Sequence, residues 1–335
     1  MSVHDINFAE ATGNPAATAG RGIGADGKTY PKGITMRVFI TGASGHVGSA
    51  LVPELREHGH VVLGLARSDE SARRLTGWGA EAVRGDLHDL DRLHAAASAA
   101  DGVIHLAFRH DAMQVGDLAG AAESDLVALQ TIGTALAGTG KPLISTSGTG
   151  MLARIVNNRT GTEADFDPNG GYRIDAENFV VDLAGKDVRT SVVRLPAITH
   201  SRLDLHGFAP TLIAFARQNG FAAYPGEGAN RWPAVHTLDA ARLYRLALES
   251  APAGSRLHAV QDEGIEFRTI AETIGHGLGL PARSITADEA PKYLGFLAQF
   301  AAMDSPASSA YTRQLLDWQP THPDLLTDLA EGFYF

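Results

Sequence analysis

The stretch at residues 36–48, MRVFITGASGHVG, constrains the fold more than any other part of the chain. Arg37, Val38, Phe39, Ile40 and Thr41 make a short apolar and β-branched run that suits a strand buried on both faces. Gly42, Gly45 and Gly48 follow in the pattern G-x-x-G-x-x-G, and an amphipathic helix pattern starts at once. A strand that turns sharply into a helix needs residues without Cβ where backbone N–H groups are to face a pyrophosphate. The helix N-terminus adds partial positive charge at the same place.

Composition narrows the setting. The 335 residues leave room for one large α/β domain with a smaller lobe, and a hydrophobic content of 44% with 20% charged residues is that of a soluble globular chain. A formal net charge of -10 argues against a nucleic-acid surface, which needs clustered Lys and Arg. The chain has no cysteine, so disulfides, thiolate metal sites and Cys nucleophiles are excluded. No apolar run approaches the roughly 20 residues that span a bilayer, so no membrane partner is expected. Residues 1–35 lack a basic n-region and a continuous apolar h-region and show no clear period. They read as a flexible extension ahead of a natural start at Met36, with the cytoplasm as the default address. Histidines are scattered, His58 and His60 being neighbours at a helix end, and no metal-ligand spacing appears.

With Thr41, Ala43 and Ser44 in place, TGASGHVG resembles the cofactor fingerprint of the extended and atypical short-chain dehydrogenase/reductases, also described as the NAD-dependent epimerase/dehydratase family. The resemblance implies an α/β chain with a Rossmann-type doubly wound parallel sheet over 36–195. A small C-terminal substrate-binding lobe over 196–335, with segments returning to the core, completes it. It also implies that Gly42, Ser44, Gly45, His46, Val47 and Gly48 border the dinucleotide.

Residues 61–65 read as a second buried strand, and the residues at its end select the cofactor. An acidic side chain there would accept hydrogen bonds from the adenosine ribose, whereas Arg67 offers a fork for a 2′-phosphate. No Asp or Glu precedes Arg67 in GLARSDESARRL. NADP(H) rather than NAD is therefore expected, with Arg67 and Ser68 as phosphate ligands. Residues 80–87 form a third strand ending in Gly85-Asp86-Leu87. By resemblance Asp86 meets the adenine amine and Leu87 packs on the ring, against the plainer reading of a strand-end turn aspartate. A helix over 88–99 and a fourth strand over 101–107 follow, with Leu106 and Ala107 bordering the cofactor ribose and His105 a packed strand residue. The helical stretch 118–138 carries Leu126, Leu129, Ile132 and Leu136 on one stripe. Its Asp125 falls where the family usually has an Asn that braces the site. Residues 141–146 give a fifth strand, and the alternation of strands and helices predicts a parallel sheet with ligands at its carboxyl edge.

In the family, a Ser or Thr after the fifth strand holds the substrate carbonyl oxygen, and a Tyr-x-x-x-Lys pair on the next helix moves the proton. Here Ser147, just past the strand, fits the first role, with Ser145 facing elsewhere. Tyr172 fits the second, but Ala176 stands where the lysine belongs. A free phenol has a pKa near 10, so without an adjacent cation little phenolate exists at neutral pH. Reduction needs only a neutral phenol to donate, so a reductase is expected more than a dehydrogenase. Arg173 and Glu177, one turn apart, are candidates for part of the lysine's role, although such pairs are commonly surface ion pairs.

A sixth strand over 186–194 leads into Pro196-Ala197-Ile198, resembling the family segment that runs beneath the nicotinamide and assigning Pro196 and Ile198 to the cofactor. Arg231, Val235, His236 and Asp239 resemble the R-x-x-x-V-H-x-x-D pattern of extended members. In nucleotide-sugar enzymes that arginine grips a diphosphate. Arg231 and Trp232, with Phe108 on the other side, are expected to line a substrate pocket for a less polar ligand. Helices are expected over 208–219, 269–280, 287–303 and 308–316, and Leu316-Asp317-Trp318 resembles a closing L-G-W motif with Asp for Gly. The leading reading is an NADP(H)-dependent reductase of a carbonyl-bearing small molecule. A silent cofactor-binding sensor and an epimerase or dehydratase stay open. The long helices 118–138 and 172–184 are of the kind that pair in homodimeric relatives.

Overall fold

The structure, a computed structural model, describes residues 21–23, 29–31 and 35–335 apart from residue 158. Most of the expected N-terminal extension lies outside the described residues. Its two described pieces, β1 (Arg21–Ile23) and β2 (Thr29–Pro31), pair antiparallel.

Seven parallel strands form the central sheet. They are β3 (Arg37–Thr41), β4 (Val61–Ala66), β5 (Glu81–Arg84), β6 (Gly102–His105), β7 (Pro142–Gly148), β8 (Arg189–Leu195) and β12 (Ser255–His258). Their spatial order is β12-β8-β7-β6-β3-β4-β5. The order reverses at β3, whose neighbours are β4 and β6, so a crevice opens between the carboxyl ends of β3 and β6. In open parallel sheets that crevice is where ligands bind.

Alternation along each strand explains why both faces are covered. Val38 and Ile40 join Leu51 and Leu55 of α1 (His46–Glu57) and Leu243 and Tyr244 of α8 (Thr237–Ser250) in one buried cluster, and α2 (Asp69–Gly77) adds Leu75. Phe39 points the other way and joins Leu93 of α3 (Leu90–Ala99), Leu129 and Ile132 of α5 (Leu118–Leu136) and Val180 of α6 (Arg173–Asp182). Each such side chain contributes about 1.5–3 kcal/mol by leaving water. Buried Arg189 donates to the Ala251 carbonyl at 3.1 Å and to that of Leu248, capping the C-terminal end of α8 with a cation.

The C-terminal lobe is built on β9 (Ile198–His200), β11 (Arg231–His236) and β13 (Asp262–Glu266), with a second pair formed by β10 (Ala222–Pro225) and β14 (Ala282–Ile285). Helices α7 (Phe208–Asn219), α9 (Phe267–Leu278) and α13 (Leu325–Ala330) close its core. The helix expected over 287–303 is broken into α10 (Ala290–Leu294), a 3-10 turn and α11 (Ala298–Ala301). Gly295 at φ +52 makes the break, against the ring of Phe215. Downstream, α12 (Ala310–Leu316) leads to Trp318, which returns to the central core and donates from Nε1 to the Asp239 carbonyl at 3.0 Å.

Candidate functional site

The glycine turn crosses the crevice at close range. Gly42 sits at φ +69, and a Cβ there would lie 2.7 Å from the Ala107 amide nitrogen. The Gly45 N–H closes the turn on the Gly42 carbonyl at 3.0 Å, and a Cβ on Gly48 would run into the Ala43 carbonyl. Gly45 is the N-cap of α1 and no side chain caps that end, so its amides stay open to a ligand. Ser44 and Val47 are half-buried beside them. These residues fit a pyrophosphate.

His46 does more than border the turn. Its Nε2 lies 2.8 Å from Thr237 Oγ1, tying the turn to the first residue of α8, and its Nδ1 lies 3.7 Å from Asp204. Burial, then His200 and His236, push the imidazole down to about 4, so it is neutral at pH 7.

At the adenine side, Asp86 accepts from the His88 N–H at 2.8 Å and so serves the strand-end turn. A cleft of about 230 Å³ opens beside it, lined by Leu87, His88, Leu90, Glu123, Ser124 and Val127. Arg67 is exposed at the end of β4, and Ser68 caps α2 by accepting from the Ser71 N–H at 3.1 Å.

Over β6 and β7 lies a buried polar chain. His105 Nε2 is 3.1 Å from Asp125 Oδ1, and His105 Nδ1 is 2.9 Å from Thr41 Oγ1. A carboxylate only accepts, so Nε2 carries a proton toward Asp125. Burial alone would raise the Asp125 pKa, but the Arg173 charge and the His105 hydrogen bond outweigh it and hold the carboxyl below its usual range. Arg173 Nε lies 3.6 Å from Asp125 Oδ2, its Nη2 donates to the Thr146 carbonyl at 2.6 Å, and its guanidinium sits 4.1 Å over the Phe108 ring.

Several expectations need correction. Ser147 lies within β7, in register with Arg194, and not beyond its end. Strand alternation puts Ser145 on the same side as Ser147, while Thr146 faces the other way and meets Tyr244 at 2.8 Å. Arg173 and Glu177 do not pair with each other. Glu177 takes a two-pronged hydrogen bond from Arg194, at 2.5 and 3.1 Å, and another from Arg256 at 2.8 Å. These hydrogen bonds outweigh burial and keep its pKa low. Trp232, 1% exposed, packs edge-on against Phe267 inside the lobe and offers no face to a ligand. Ile198 is equally buried in that core, which leaves only its backbone to border a cofactor, and Pro196 is buried as well after β8. Arg231 is held by Asp304 through Nε at 3.0 Å and Nη2 at 2.8 Å, so its charge is already matched.

Tyr172 precedes α6 at φ 49 and ψ -130 and is half exposed. Sequence reasoning missed Thr149, which is buried with its Oγ1 unpartnered; Ser147 Oγ shares that condition, while Asp125 Oδ2 and Arg173 Nε make no hydrogen bond but pair as ions. The S-T-S-G-T alternation held the signal for Thr149. It also missed that His236, Asp239 and His322 come together with ligand-like spacing. The two imidazole planes, however, are stacked within 8°, so one ion cannot lie in both, and Asp239 is engaged by the Thr321 and His322 amides.

The sequence pattern of the NAD dependent epimerase/dehydratase family matches residues 38–260. The chain belongs to this family. It is 44% identical over 301 residues to an uncharacterized protein of Schizosaccharomyces pombe, covering 90% of this chain and all of the relative. It is 30% identical over 301 residues to 2'-dehydrokanamycin reductase of Streptomyces kanamyceticus, covering 86% of this chain and 80% of that one. Among solved structures, dTDP-glucose 4,6-dehydratase from Streptomyces venezuelae, with NAD and TYD bound, superposes with a TM-score of 0.72. That match has 17% identity and covers 89% of this chain and 96% of the other. The Rossmann-type fold is thus that of the family, and Leu106 and Ala107 lie half-buried just after β6, at the crevice.

Proposed function

We infer that this chain is an NADP(H)-dependent reductase of a carbonyl-bearing small molecule. The observation that carries the reading is the carboxyl end of β7, on the strand that adjoins β6, where the hydroxyls of Ser147 and Thr149 are buried without a hydrogen-bond partner. When bound, the reduced dinucleotide supplies the hydride. Ser147 would hold the substrate oxygen, and the Tyr172 phenol would give it a proton as the carbonyl carbon accepts the hydride pair, Tyr172 then being refilled from solvent. The lack of a lysine between Lys141 and Lys186 favours this direction over one that begins with oxidation. So does Arg231, whose guanidinium is matched by Asp304 rather than left free for a diphosphate. Reductases among the more distant relatives are consistent with it.

NADP(H) is preferred because Arg67 stands exposed after β4, and among the described residues no carboxylate pairs with it. NADPH consumption against a panel of ketones and aldehydes tests the reading. Turnover should appear with the wild type and fall about 100-fold or more in Tyr172→Phe, and by tenfold or more in Ser147→Ala. Unchanged rates in Tyr172→Phe would remove the phenol from the chemistry. Nucleotide binding without turnover on any substrate would favour the sensor reading. Arg67→Ala should weaken NADPH binding while leaving NADH binding within about twofold; equal losses for both would contradict the 2′-phosphate assignment.

A further inference from the structure

Asp125 and Arg173, far apart in sequence, meet beneath the carboxyl end of β7. Arg173 is a permanent cation, since a guanidinium keeps its proton at any pH the protein survives. It is fixed on three sides: by the Asp125 carboxylate, by the Thr146 carbonyl and by the Phe108 ring. Asp125 is fixed in turn by His105, and His105 by Thr41, the last residue before the glycine turn. His110, packed edge-on against Phe108, is held below its normal pKa by desolvation and by Arg173.

The dinucleotide of a doubly wound sheet crosses the switch point, here between β3 and β6. Arg67, Asp86 and the open cleft at Leu87 take the adenosine half on the β4–β5 side. The nicotinamide half then falls on the β6–β7 side, where Arg173 lies. An oxidised nicotinamide ring is a cation, and a dihydronicotinamide ring is neutral. We propose that Arg173 sets the redox preference of this site, its fixed charge disfavouring the oxidised ring so that reduced cofactor fills the site and oxidised product leaves. Asp125 tempers that charge. The proposal rests on the cofactor reading above and adds a bias that neither the fold nor the fingerprint supplies.

Binding alone tests it, without a substrate. Fluorescence and calorimetric titrations of the full-length protein with NADPH and NADP+ give the ratio of the two dissociation constants, oxidised over reduced. Relative to wild type, Arg173→Gln should lower this ratio about three- to tenfold, the size expected of one charge in a partly screened site. Arg173→Lys, which keeps the charge, should hold the ratio within about twofold. Asp125→Asn should move it the other way, because removing the counter-charge strengthens the field of Arg173. Shifts of opposite sign in the two neutralising variants cannot come from loosened structure, which would weaken both forms alike. A ratio unchanged in Arg173→Gln and in Asp125→Asn, with circular dichroism as in wild type, overturns the proposal. Failure of the wild type to bind either form overturns the cofactor reading itself, a distinct result.

Discussion

Four residues other than glycine, Asn157, Tyr172, Asp187 and Asp317, occupy backbone conformations near φ +50 in the described chain, and Tyr172 and Asp317 do so for different reasons. Asp317 ends α12 in the left-handed region, φ 50 and ψ 38, the position that a helix C-terminus commonly gives to glycine. Asp317→Gly should therefore stabilise the protein by about 0.5–1 kcal/mol in urea unfolding. Tyr172, with ψ -130, lies in a region that costs a side chain about 1–3 kcal/mol. Its ring is half exposed, so packing does not repay that cost. Tyr172→Gly should raise the unfolding midpoint while abolishing turnover, and Tyr172→Phe should abolish turnover with the midpoint unchanged. A midpoint that falls in Tyr172→Gly would show that the ring contributes more to packing than its exposure suggests. At this scale the sequence disclosed what depends on near neighbours: the three glycines, the turn aspartate and the absence of a lysine. The roles of Arg231, Trp232 and Glu177 were hidden because their partners, Asp304, Phe267 and Arg194, lie elsewhere in the chain and only tertiary packing brings them close.

Strands β3 to β8 were legible because a parallel strand covered on both faces is a short apolar run, and the helices between them carry a clear stripe. Ends were less legible. Ser147 was placed beyond β7, yet pairing with Arg194 extends the strand through Gly148. Ala176 explains why no lysine stands at its position on α6: it is 2% exposed and packed toward α5. A lysine introduced there would have to bury its charge. The adjoining residue, Glu177, clasps α6 to β8 and β12 through Arg194 and Arg256, and Arg194 also donates to His258 Nε2 at 3.1 Å. Burial, and then Arg194, hold His258 down near 4, so it remains a neutral acceptor. Removing one charge from such a clasp leaves the others unmatched, and Glu177→Gln should cost about 3–5 kcal/mol. Thermal unfolding measures this, and a loss below 1 kcal/mol would mean that water reaches the two arginines.

The two lobes meet at a polar joint that includes His46, Ser201, Asp204, Thr237 and Tyr334. Burial pushes the Asp204 carboxyl up to about 6, only partly offset by the Gly207 N–H and the Tyr334 hydroxyl. An acid whose folded pKa is raised favours unfolding once it ionises. The stability present below about pH 4 is therefore lost as the pH climbs toward 6, by about 3 kcal/mol. His46 has the opposite sign: its pKa is depressed from 6.5 to about 4, so its contribution is complete above pH 6.5 and is lost as the pH falls toward 4. Asp204→Asn should thus stabilise the protein at pH 7.5 by about 2–3 kcal/mol more than at pH 4. An equal gain at both pH values would mean that Asp204 titrates as in water. None of this joint could be read from composition or period, because it assembles side chains from four separate segments. The Ser201 amide donates to the Tyr334 hydroxyl at 3.1 Å, and that hydroxyl donates back to the Ser201 carbonyl at 3.1 Å. The Ser201 amide proton is therefore a built-in gauge: any motion that lifts Tyr334 off the C-terminal lobe exposes it to solvent deuterium, so its exchange rate counts how often that phenol leaves its seat.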